Sequence, residues 1–417
     1  MSTLATIHAG DAVAQVIDRG LVTWFKAPYS YTGEDVVEFA VHGGVLMSAL
    51  VVTACVSAGA RPAQPGEFTE RAVLHGKMDL LQGEAVADLI DARSRAAHRA
   101  AVQQLDGGLS QRLTFMRDSL LQVDALIAYE IDFPEEDEAP PSRVKVMAAC
   151  DEAIAQVDRL LATLPAAALG REGALVVLAG SPNVGKSSLL NAVVGESRVL
   201  VSEHPGTTRD AVEVLVDDEP YPLRLVDTAG LRDGTDVVER LGIEVSERYL
   251  AQAHVVLACG NTLEVLSQAV AVVRGLTTGV VVPVLTKVDL SSGPSRRPEG
   301  TEAAREVELG ATPVRVSAIT GEGLDDLREA IRAAVTSHTA TPDEETPVVT
   351  RARHAAGLQR AGEELRAFRS AWALGVLPAP VVATHLRGAV TALEELIGVV
   401  DVEDVLERVF RTFCVGK

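Results

Sequence analysis

Gly180–Ser187 reads G-S-P-N-V-G-K-S, and this stretch decides the fold of the central part of the chain. Its glycines let consecutive backbone N–H groups point at one anion, while Lys186 is placed to reach the outer phosphates of a nucleotide and Ser187 to bind Mg²⁺. An apolar run, Ala174–Ala179, precedes the loop, and a helix-like stretch, Ser187–Val194, follows it. The start of that helix adds its dipole to the anion site. The context predicts a phosphate-binding loop, but the loop alone does not separate a GTPase from an ATPase or a kinase.

Length and composition limit the possibilities for the rest of the chain. A chain of 417 residues is too long for one core and predicts two or three domains. A net charge of −20 argues against broad adhesion to nucleic acid, so a nucleic-acid partner would be met at a local patch or through another protein. Four widely spaced cysteines fit a reducing compartment, and no signal peptide or long apolar span is evident. We therefore expect a cytoplasmic protein without a membrane segment.

The order of strand-like and helix-like patterns predicts an inserted domain. Residues 1–75, with β-type runs such as Leu21–Phe25 and Val36–Val41, indicate a small α+β domain. Residues 76–171 and 336–417 have helical spacing and indicate the two halves of an all-α domain. The helices expected in the first half are Ala85–Ala101, Gly108–Tyr129 and Val144–Leu164, the last ending in an Ala-rich turn at Gly170.

Residues 172–335 alternate buried strands with helices, which is typical of a mainly parallel sheet covered on both faces. The expected strands are Leu175–Ala179, Leu223–Val226, His254–Ala258, Val280–Leu285 and Val314–Ser317. This α/β P-loop domain would be inserted between the two helical halves.

Three further motifs follow the loop in the order that a guanine-nucleotide site needs. Asp227–Gly230 (D-T-A-G) ends a strand, where the Asp can hold the Mg²⁺ shell and the Gly N–H can meet the γ-phosphate. Upstream, Thr208 lies in a switch-like loop and is a second candidate Mg²⁺ ligand. Asp289, in T-K-V-D, can accept the two guanine donors that adenine lacks, and a backbone N–H of Ser317–Ile319 can meet guanine O6. Together these motifs predict a GTPase.

The residues expected from these motifs to contact GTP are Asn183, Val184, Gly185, Lys186, Ser187, Ser188, Thr208, Asp227, Thr228, Ala229, Gly230, Thr286, Lys287, Asp289, Ser317, Ala318 and Ile319.

Two positions depart from the common GTPase pattern. Thr286 replaces the usual Asn, which affects the expected nucleotide affinity more than guanine selectivity, since selectivity rests mainly on Asp289. Leu231 stands where many GTPases carry a water-orienting Gln, so this site needs another device. Asn183 can bind a monovalent cation beside the phosphates, and Glu239 can orient water. The alternative for Glu239 is an ordinary glutamate on a helix surface.

Beyond these motifs, the chain resembles the MnmE (TrmE) family of tRNA-modifying GTPases over essentially its whole length. The matching segments are Tyr31–Asp35 (Y-T-G-E-D), His42–Gly44 (H-G-G), Arg61–Phe68 (R-P-A-Q-P-G-E-F), Gly76–Leu80 (G-K-M-D-L), Ile131–Glu136 (I-D-F-P-E-E) and Phe413–Lys417 (F-C-V-G-K). The C-terminal segment separates this family from other GTPases.

The resemblance implies an N-terminal domain that binds folate and dimerises, a helical domain and an inserted GTPase domain. It also implies a homodimer that binds a tetrahydrofolate derivative, in the 5,10-methylene or 5-formyl form, and works with the flavoprotein MnmG. Together the two proteins would add an aminomethyl or carboxymethylaminomethyl group at C5 of the wobble uridine of tRNA. GTP hydrolysis would be stimulated by potassium.

The resemblance also implies roles for individual residues. The potassium ligands would be Asn183, Ser202, His204 (through its backbone) and Thr207, so Ser202 and Thr207 join the GTP site, and the Mg²⁺ ligands would be Ser187 and Thr208. The catalytic residues would be Glu239, Asn183 and Lys186. Folate would contact Glu38, Lys77 and Lys417, and Cys414 would be the functional C-terminal cysteine.

Two features differ from the family pattern. The chain begins a few dozen residues late, and His75 stands where Asn is usual. Either the start is placed too far downstream, which we favour because the later folate positions are intact, or the folate and dimer functions are weakened. Two other interpretations of the chain stay open. It can be a GTPase switch of the ribosome-assembly type, although Phe413–Lys417, Glu38 and Lys77 argue against this, or it can be a non-catalytic remnant. The Arg-rich segment Asp91–Arg95 can contact tRNA phosphates or can simply be a solvated helix face.

Overall fold

The computed structural model describes residues 2–9, 15–132, 143–195, 213–227, 247–290, 311–337, 346–375 and 377–399. The strands of these ranges are β1 (Ser2–Ala9), β2 (Gln15–Phe25), β3 (Val36–Ala40), β4 (Ala174–Ala179), β5 (Glu213–Val216), β6 (Leu223–Asp227), β7 (Val255–Gly260), β8 (Val280–Leu285) and β9 (Val314–Arg315). The α-helices are α1 (Val45–Ser57), α2 (Glu67–Leu74), α3 (Leu80–Asp91), α4 (Arg95–Leu105), α5 (Gly108–Asp132), α6 (Arg143–Leu161), α7 (Leu164–Glu172), α8 (Lys186–Gly195), α9 (Leu263–Arg274), α10 (Leu324–Thr336), α11 (Ala352–Leu374) and α12 (Ala379–Ile397).

The chain divides into two compact units. The first comprises Met1–Asp91, Ala101–Leu161 and Arg351–Lys417, and the second comprises Ala92–Ala100 and Ala162–Thr350. The second unit therefore interrupts the first in sequence, and the expected fold class, an α/β domain inserted in a helical domain after a small α+β domain, is confirmed. The domain boundaries at 75, 171 and 335 stay predictions.

In the first unit, β1, β2 and β3 form an antiparallel sheet in that order. The helices α5, α6, α11 and α12 pack together. Their shared core contains Leu113, Leu120, Phe368 and Leu393, each almost completely buried. Because these side chains recur at helical spacing, each helix turns one apolar stripe to its neighbours.

A buried ion cluster joins α3 to the start of α11 in the same unit. Glu84 is 1% exposed, and its Oε2 lies 2.5 Å from His354 Nε2 and 2.7 Å from Arg353 Nη2. Burial raises the pKa of Glu84, but the hydrogen bonds from His354 and Arg353 outweigh burial and hold the pKa at about 2. The charged carboxylate is therefore part of the folded core.

The second unit is built on a six-stranded sheet in the order β5-β6-β4-β7-β8-β9. All neighbouring strands are parallel except β5, which runs antiparallel to β6 at one edge. The central strands β4 and β7 are buried along their whole length, as expected for a sheet covered on both faces. The carboxyl ends of the parallel strands meet at one edge, where α/β proteins bind ligands.

Two helix predictions were wrong, for local reasons. Ala85–Ala101 is not one helix, because the chain breaks at 92–94 and Ser94 Oγ accepts the Ala97 N–H that begins α4. Gly170 does not end a helix in a turn, since it lies buried inside α7, which ends at Glu172 and is followed by the capping residue Gly173 with a φ of +81°. Glycine at that φ is the commoner helix stop.

Candidate nucleotide-binding site

The loop Gly180–Gly185 joins the buried strand β4 to the start of α8. Gly180 has a φ of +144°, and a Cβ there would lie 2.3 Å from the carbonyl oxygen of Cys259, so only glycine fits. Gly185, just before α8, has a φ of +102°. Both glycines are thus required by backbone geometry, and the loop leaves the sheet edge directly in front of a helix N-terminus.

Lys186 closes the loop on itself. Its side chain is largely buried, and Nζ donates hydrogen bonds of 2.9 Å to the carbonyl oxygens of Gly180 and Ser181. The ammonium group is therefore held at the centre of the loop by neutral acceptors. Phosphate oxygens are stronger, charged acceptors for such a group.

Ser187 and Asp227 meet at the ends of neighbouring elements. Asp227 ends β6, which pairs in parallel with β4, and its Oδ2 lies 2.5 Å from Ser187 Oγ. A hydroxyl and a carboxylate in contact are the hard oxygen donors that Mg²⁺ prefers. These two residues fit a Mg²⁺ ion, with Ser187 as a direct ligand and Asp227 holding the surrounding shell.

Thr286 links the end of β8 to the phosphate-binding loop. Its hydroxyl donates to the Val184 carbonyl at 2.6 Å and lies 3.2 Å from the Gly260 carbonyl, which also accepts the Thr286 backbone N–H at 2.8 Å. Lys287, with a φ of +59°, donates from Nζ to the Asn183 carbonyl at 2.7 Å. The loop is therefore tied to β8 through two side chains, and the threonine performs the link despite replacing the usual asparagine.

Asp289 and Ser317, two residues predicted for base recognition, are in direct contact. Ser317 Oγ lies 2.6 Å from Asp289 Oδ1 and accepts the backbone N–H groups of Ile319 and Thr320 at 3.3 and 3.2 Å. Ser317 is fully buried, whereas Ile319 is 84% exposed. The hydroxyl therefore fixes the carboxylate and the following turn together, and their role in guanine recognition stays a prediction.

Cys259 and Gly260, at the end of β7, support the loop in a way that the sequence motifs did not indicate. Burial raises the pKa of the Cys259 thiol to about 12, with a smaller lowering by Lys186 and a smaller raising by Asp227. Cys259 thus lies beneath the loop as an inert apolar group. The Gly260 carbonyl accepts the Thr286 backbone N–H and lies 3.2 Å from the Thr286 hydroxyl, and a Cβ at Gly260 would lie 2.5 Å from Leu266 N. A glycine at the end of an apolar strand is the sequence signal that could have indicated this close packing.

Ten residues predicted for the sites lie outside the described residues, so their roles stay predictions. They are Ser202, His204, Thr207, Thr208, Thr228, Ala229, Gly230, Glu239, Cys414 and Lys417.

The residues predicted for folate lie in the first unit. Glu38 is exposed on β3, opposite Thr23 of β2. Lys77 donates from Nζ to the Pro28 carbonyl at 2.9 Å, and His75 Nδ1 lies 2.8 Å from the Thr32 carbonyl. The histidine therefore holds the loop that Lys77 also contacts.

The segments Tyr31–Asp35 and Arg61–Phe68 are joined through α2. Arg71 bonds to Glu34 at 2.9 Å and to Glu67 at 2.7 Å, and Arg61 bonds to Glu67 at 2.6 Å. The hydrogen bond from Arg61, followed by those from the Gln64 N–H and Arg71, lowers the pKa of Glu67 to about 2. The segments Tyr31–Asp35 and Arg61–Phe68 are thus held together by one network of ion pairs.

The fold and the site define a P-loop GTPase domain. The loop with Lys186, the Ser187–Asp227 pair and the Asp289–Ser317 pair all lie at the carboxyl edge of one mainly parallel sheet. Within the described residues no helix is long and apolar enough to cross a membrane.

Comparison with known proteins narrows this class to one family. The family model "MnmE helical domain" matches residues 80–414, and the model "GTP-binding protein TrmE N-terminus" matches residues 2–77. The tRNA modification GTPase MnmE of Akkermansia muciniphila is 40% identical over 421 residues, covering 100% of this chain and 89% of that protein. The protein of the same name from Aquifex aeolicus is 37% identical over 408 residues, covering 98% of this chain and 88% of that protein. Among solved structures, the G domain of the T. maritima FeoB iron transporter has 26% identity and a TM-score of 0.29, covering 39% of this chain and 98% of that one.

The chain belongs to the MnmE family of tRNA modification GTPases. It is therefore a GTP hydrolase of a family that acts in tRNA modification.

Proposed function

We propose that this protein is a potassium-stimulated GTPase that acts with the flavoprotein MnmG. The pair would carry out tetrahydrofolate-dependent aminomethyl or carboxymethylaminomethyl modification at C5 of the tRNA wobble uridine. The observation that carries the proposal is the convergence of Lys186, the Ser187–Asp227 pair and the Asp289–Ser317 pair at one sheet edge, in a chain related to MnmE proteins over its whole length.

In this proposal, Lys186 binds the outer phosphates of GTP. Its ammonium group, which lies beside the Gly180 and Ser181 carbonyls, would donate to β- and γ-phosphate oxygens, and the loop N–H groups would surround the same anion. Ser187 and Thr208 would hold a Mg²⁺ ion, which would neutralise charge at the phosphates. Asp289 selects guanine by accepting its N1–H and 2-amino groups.

Hydrolysis needs a substitute for the missing glutamine at Leu231. We assign the orientation of the attacking water to Glu239 and the binding of potassium to Asn183, Ser202, His204 and Thr207. Asn183 supports this assignment, since it is exposed in the loop and has the left-handed φ of +61°. A cation there adds the positive charge that an arginine finger supplies in other GTPases.

The first unit would supply the one-carbon chemistry and the dimer contact. Glu38, Lys77 and Lys417 are the proposed contacts of the tetrahydrofolate derivative, and Cys414 is the proposed functional cysteine. The protein would act as a homodimer that assembles with MnmG and reaches tRNA in that complex.

Two measurements test the proposal. In a deletion strain, mass spectrometry of wobble uridines should show the C5 substituent lost, and complementation should restore it; unchanged modification would favour a switch of the ribosome-assembly type instead. GTP turnover by the purified chain should be faster in potassium than in sodium. Absence of turnover in both salts would favour a non-catalytic protein.

A further inference from the structure

A cavity of about 480 Å³ lies in the second unit, and none of the nucleotide-site residues lines it. Four basic or imidazole side chains line it, Arg93, Arg95, His98 and Arg99, together with Asp217 from the turn after β5. All four are exposed at its mouth. In a chain with a net charge of −20, such a cluster is a local reversal of charge.

Buried hydrogen bonds fix the backbone that carries these side chains. Ser94 is 7% exposed, and its hydroxyl donates to the Gly170 carbonyl at 2.6 Å while accepting the Ala97 N–H at 3.0 Å. The first turn of α4 is therefore held against α7. Since Arg95 and Arg99 are four residues apart on that helix, their side chains lie on one face.

The two arginines share one carboxylate. Arg95 Nη1 lies 3.2 Å and Arg99 Nη1 lies 3.8 Å from the same Oε1 of Glu219, and Arg95 Nε lies 4.0 Å from Asp217. The side chains of Arg95, Arg99 and Glu219 are each more than half exposed. Exposed pairs of this kind stabilise a protein only weakly, so a stronger anion displaces the glutamate readily.

We infer that this cavity binds the phosphodiester backbone of tRNA, with Glu219 occupying the place of a phosphate until RNA arrives. The inference rests on the proposed function, which makes tRNA the substrate. Guanidinium groups match phosphate oxygens through two parallel hydrogen bonds, which Glu219 now partly uses. The lining contains no large apolar side chain, which a protein partner would need for a buried anchor. A site of charge without apolar area is typical of contact with a nucleic-acid backbone.

Removing the arginines and removing the glutamate of this cluster should change tRNA affinity in opposite directions. Each lost phosphate contact lowers the salt slope of log K by about 0.7–0.9, which near 0.1 M salt is roughly a five- to eightfold weaker affinity. The double substitution Arg95→Ala with Arg99→Ala therefore weakens tRNA binding roughly 25- to 60-fold and lowers the slope by about 1.4–1.8. Glu219→Gln removes the competing carboxylate and tightens binding roughly two- to fivefold.

The test uses the full chain and an unmodified tRNA transcript with uridine at the wobble position, titrated at several salt concentrations. Arg159 and Glu152 provide a matched control, since they form an exposed pair on α6 at 2.9 Å, and Arg159→Ala and Glu152→Gln should change tRNA affinity less than twofold. GTP turnover is measured for every variant, and unchanged turnover shows that the nucleotide-binding domain is folded.

Weaker binding in the arginine variant and tighter binding in Glu219→Gln support the inference. Equal affinity of the arginine variant and the unchanged protein overturns it, as does weaker binding in Glu219→Gln, which would mean that the ion pairs are only structural. Failure of the unchanged chain to bind tRNA also overturns it. The proposed function is tested separately, because the wobble-uridine analysis does not depend on direct binding by this chain.

Discussion

Replacing Thr286 by valine keeps the shape of the side chain and removes one hydroxyl, and we expect it to weaken nucleotide binding. Thr286 is 4% exposed, and its hydroxyl is the donor to the Val184 carbonyl at 2.6 Å. A buried acceptor that loses its partner costs about 1–3 kcal/mol. Because the phosphate-binding loop can relax in part, we assign about 1–2 kcal/mol to nucleotide affinity, which corresponds to a roughly 5- to 30-fold weaker affinity.

The assay is a titration of the purified chain with a fluorescent GDP analogue in the presence of magnesium and potassium, combined with thermal unfolding. Thr163→Val is the matched control, since Thr163 is also 4% exposed and its hydroxyl accepts the Val349 N–H at 2.9 Å. It should lower stability and leave nucleotide affinity unchanged. Thr286→Asn, which introduces the common residue, should retain binding. Nucleotide affinity of Thr286→Val within twofold of the unchanged protein would refute the link between β8 and the loop.

Three further predictions follow from the same structure. Asp289→Asn should shift the preference away from guanine, because an amide donates where guanine also donates; competition of GTP against ATP measures it, and unchanged selectivity would exclude the assignment. Glu239→Ala should slow hydrolysis in single-turnover assays and spare nucleotide affinity, whereas a parallel loss of both would mean a structural role. Glu84→Gln should destabilise the first unit by about 3–5 kcal/mol, since it leaves Arg353 and His354 without their buried carboxylate. The pKa of Glu84 in the folded protein is about 2, below the ordinary 4.5, so the stability contributed by its charge is present above pH 4.5 and is lost as the pH falls toward 2. Urea unfolding of the unchanged protein and of Glu84→Gln across that pH range should therefore show their difference in free energy of unfolding becoming smaller as the pH falls.

The parts of the nucleotide site that are local in sequence could be predicted. Gly180–Ser187 specifies its own loop, because the glycine conformations, the preceding strand and the following helix all lie within about twenty residues. The order of the later motifs along parallel strands also places them at one edge of the sheet. The bond from Thr286 to the Val184 carbonyl could not be predicted, since it depends on how β8 and the loop are spaced in three dimensions.

Elsewhere, local patterns were poor guides. The helix α1, Val45–Ser57, was not predicted, because its own apolar residues are spread over all of its faces and leave no helical period in the sequence. Only Val51 of this helix is buried. The break between α3 and α4 was missed because it depends on a single capping hydroxyl, Ser94, in a stretch that otherwise favours helix.

The self-bonded lysine of the phosphate loop has a consequence for the stability of the loop. Lys186 Nζ ties the carbonyls of Gly180 and Ser181 to the start of α8, and its side chain is largely buried. Desolvated, unpaired charge is one of the steepest penalties a protein can incur. A side chain at position 186 without a terminal ammonium would lose both ties and the buried charge together, so this position also bears on the stability of the cradle.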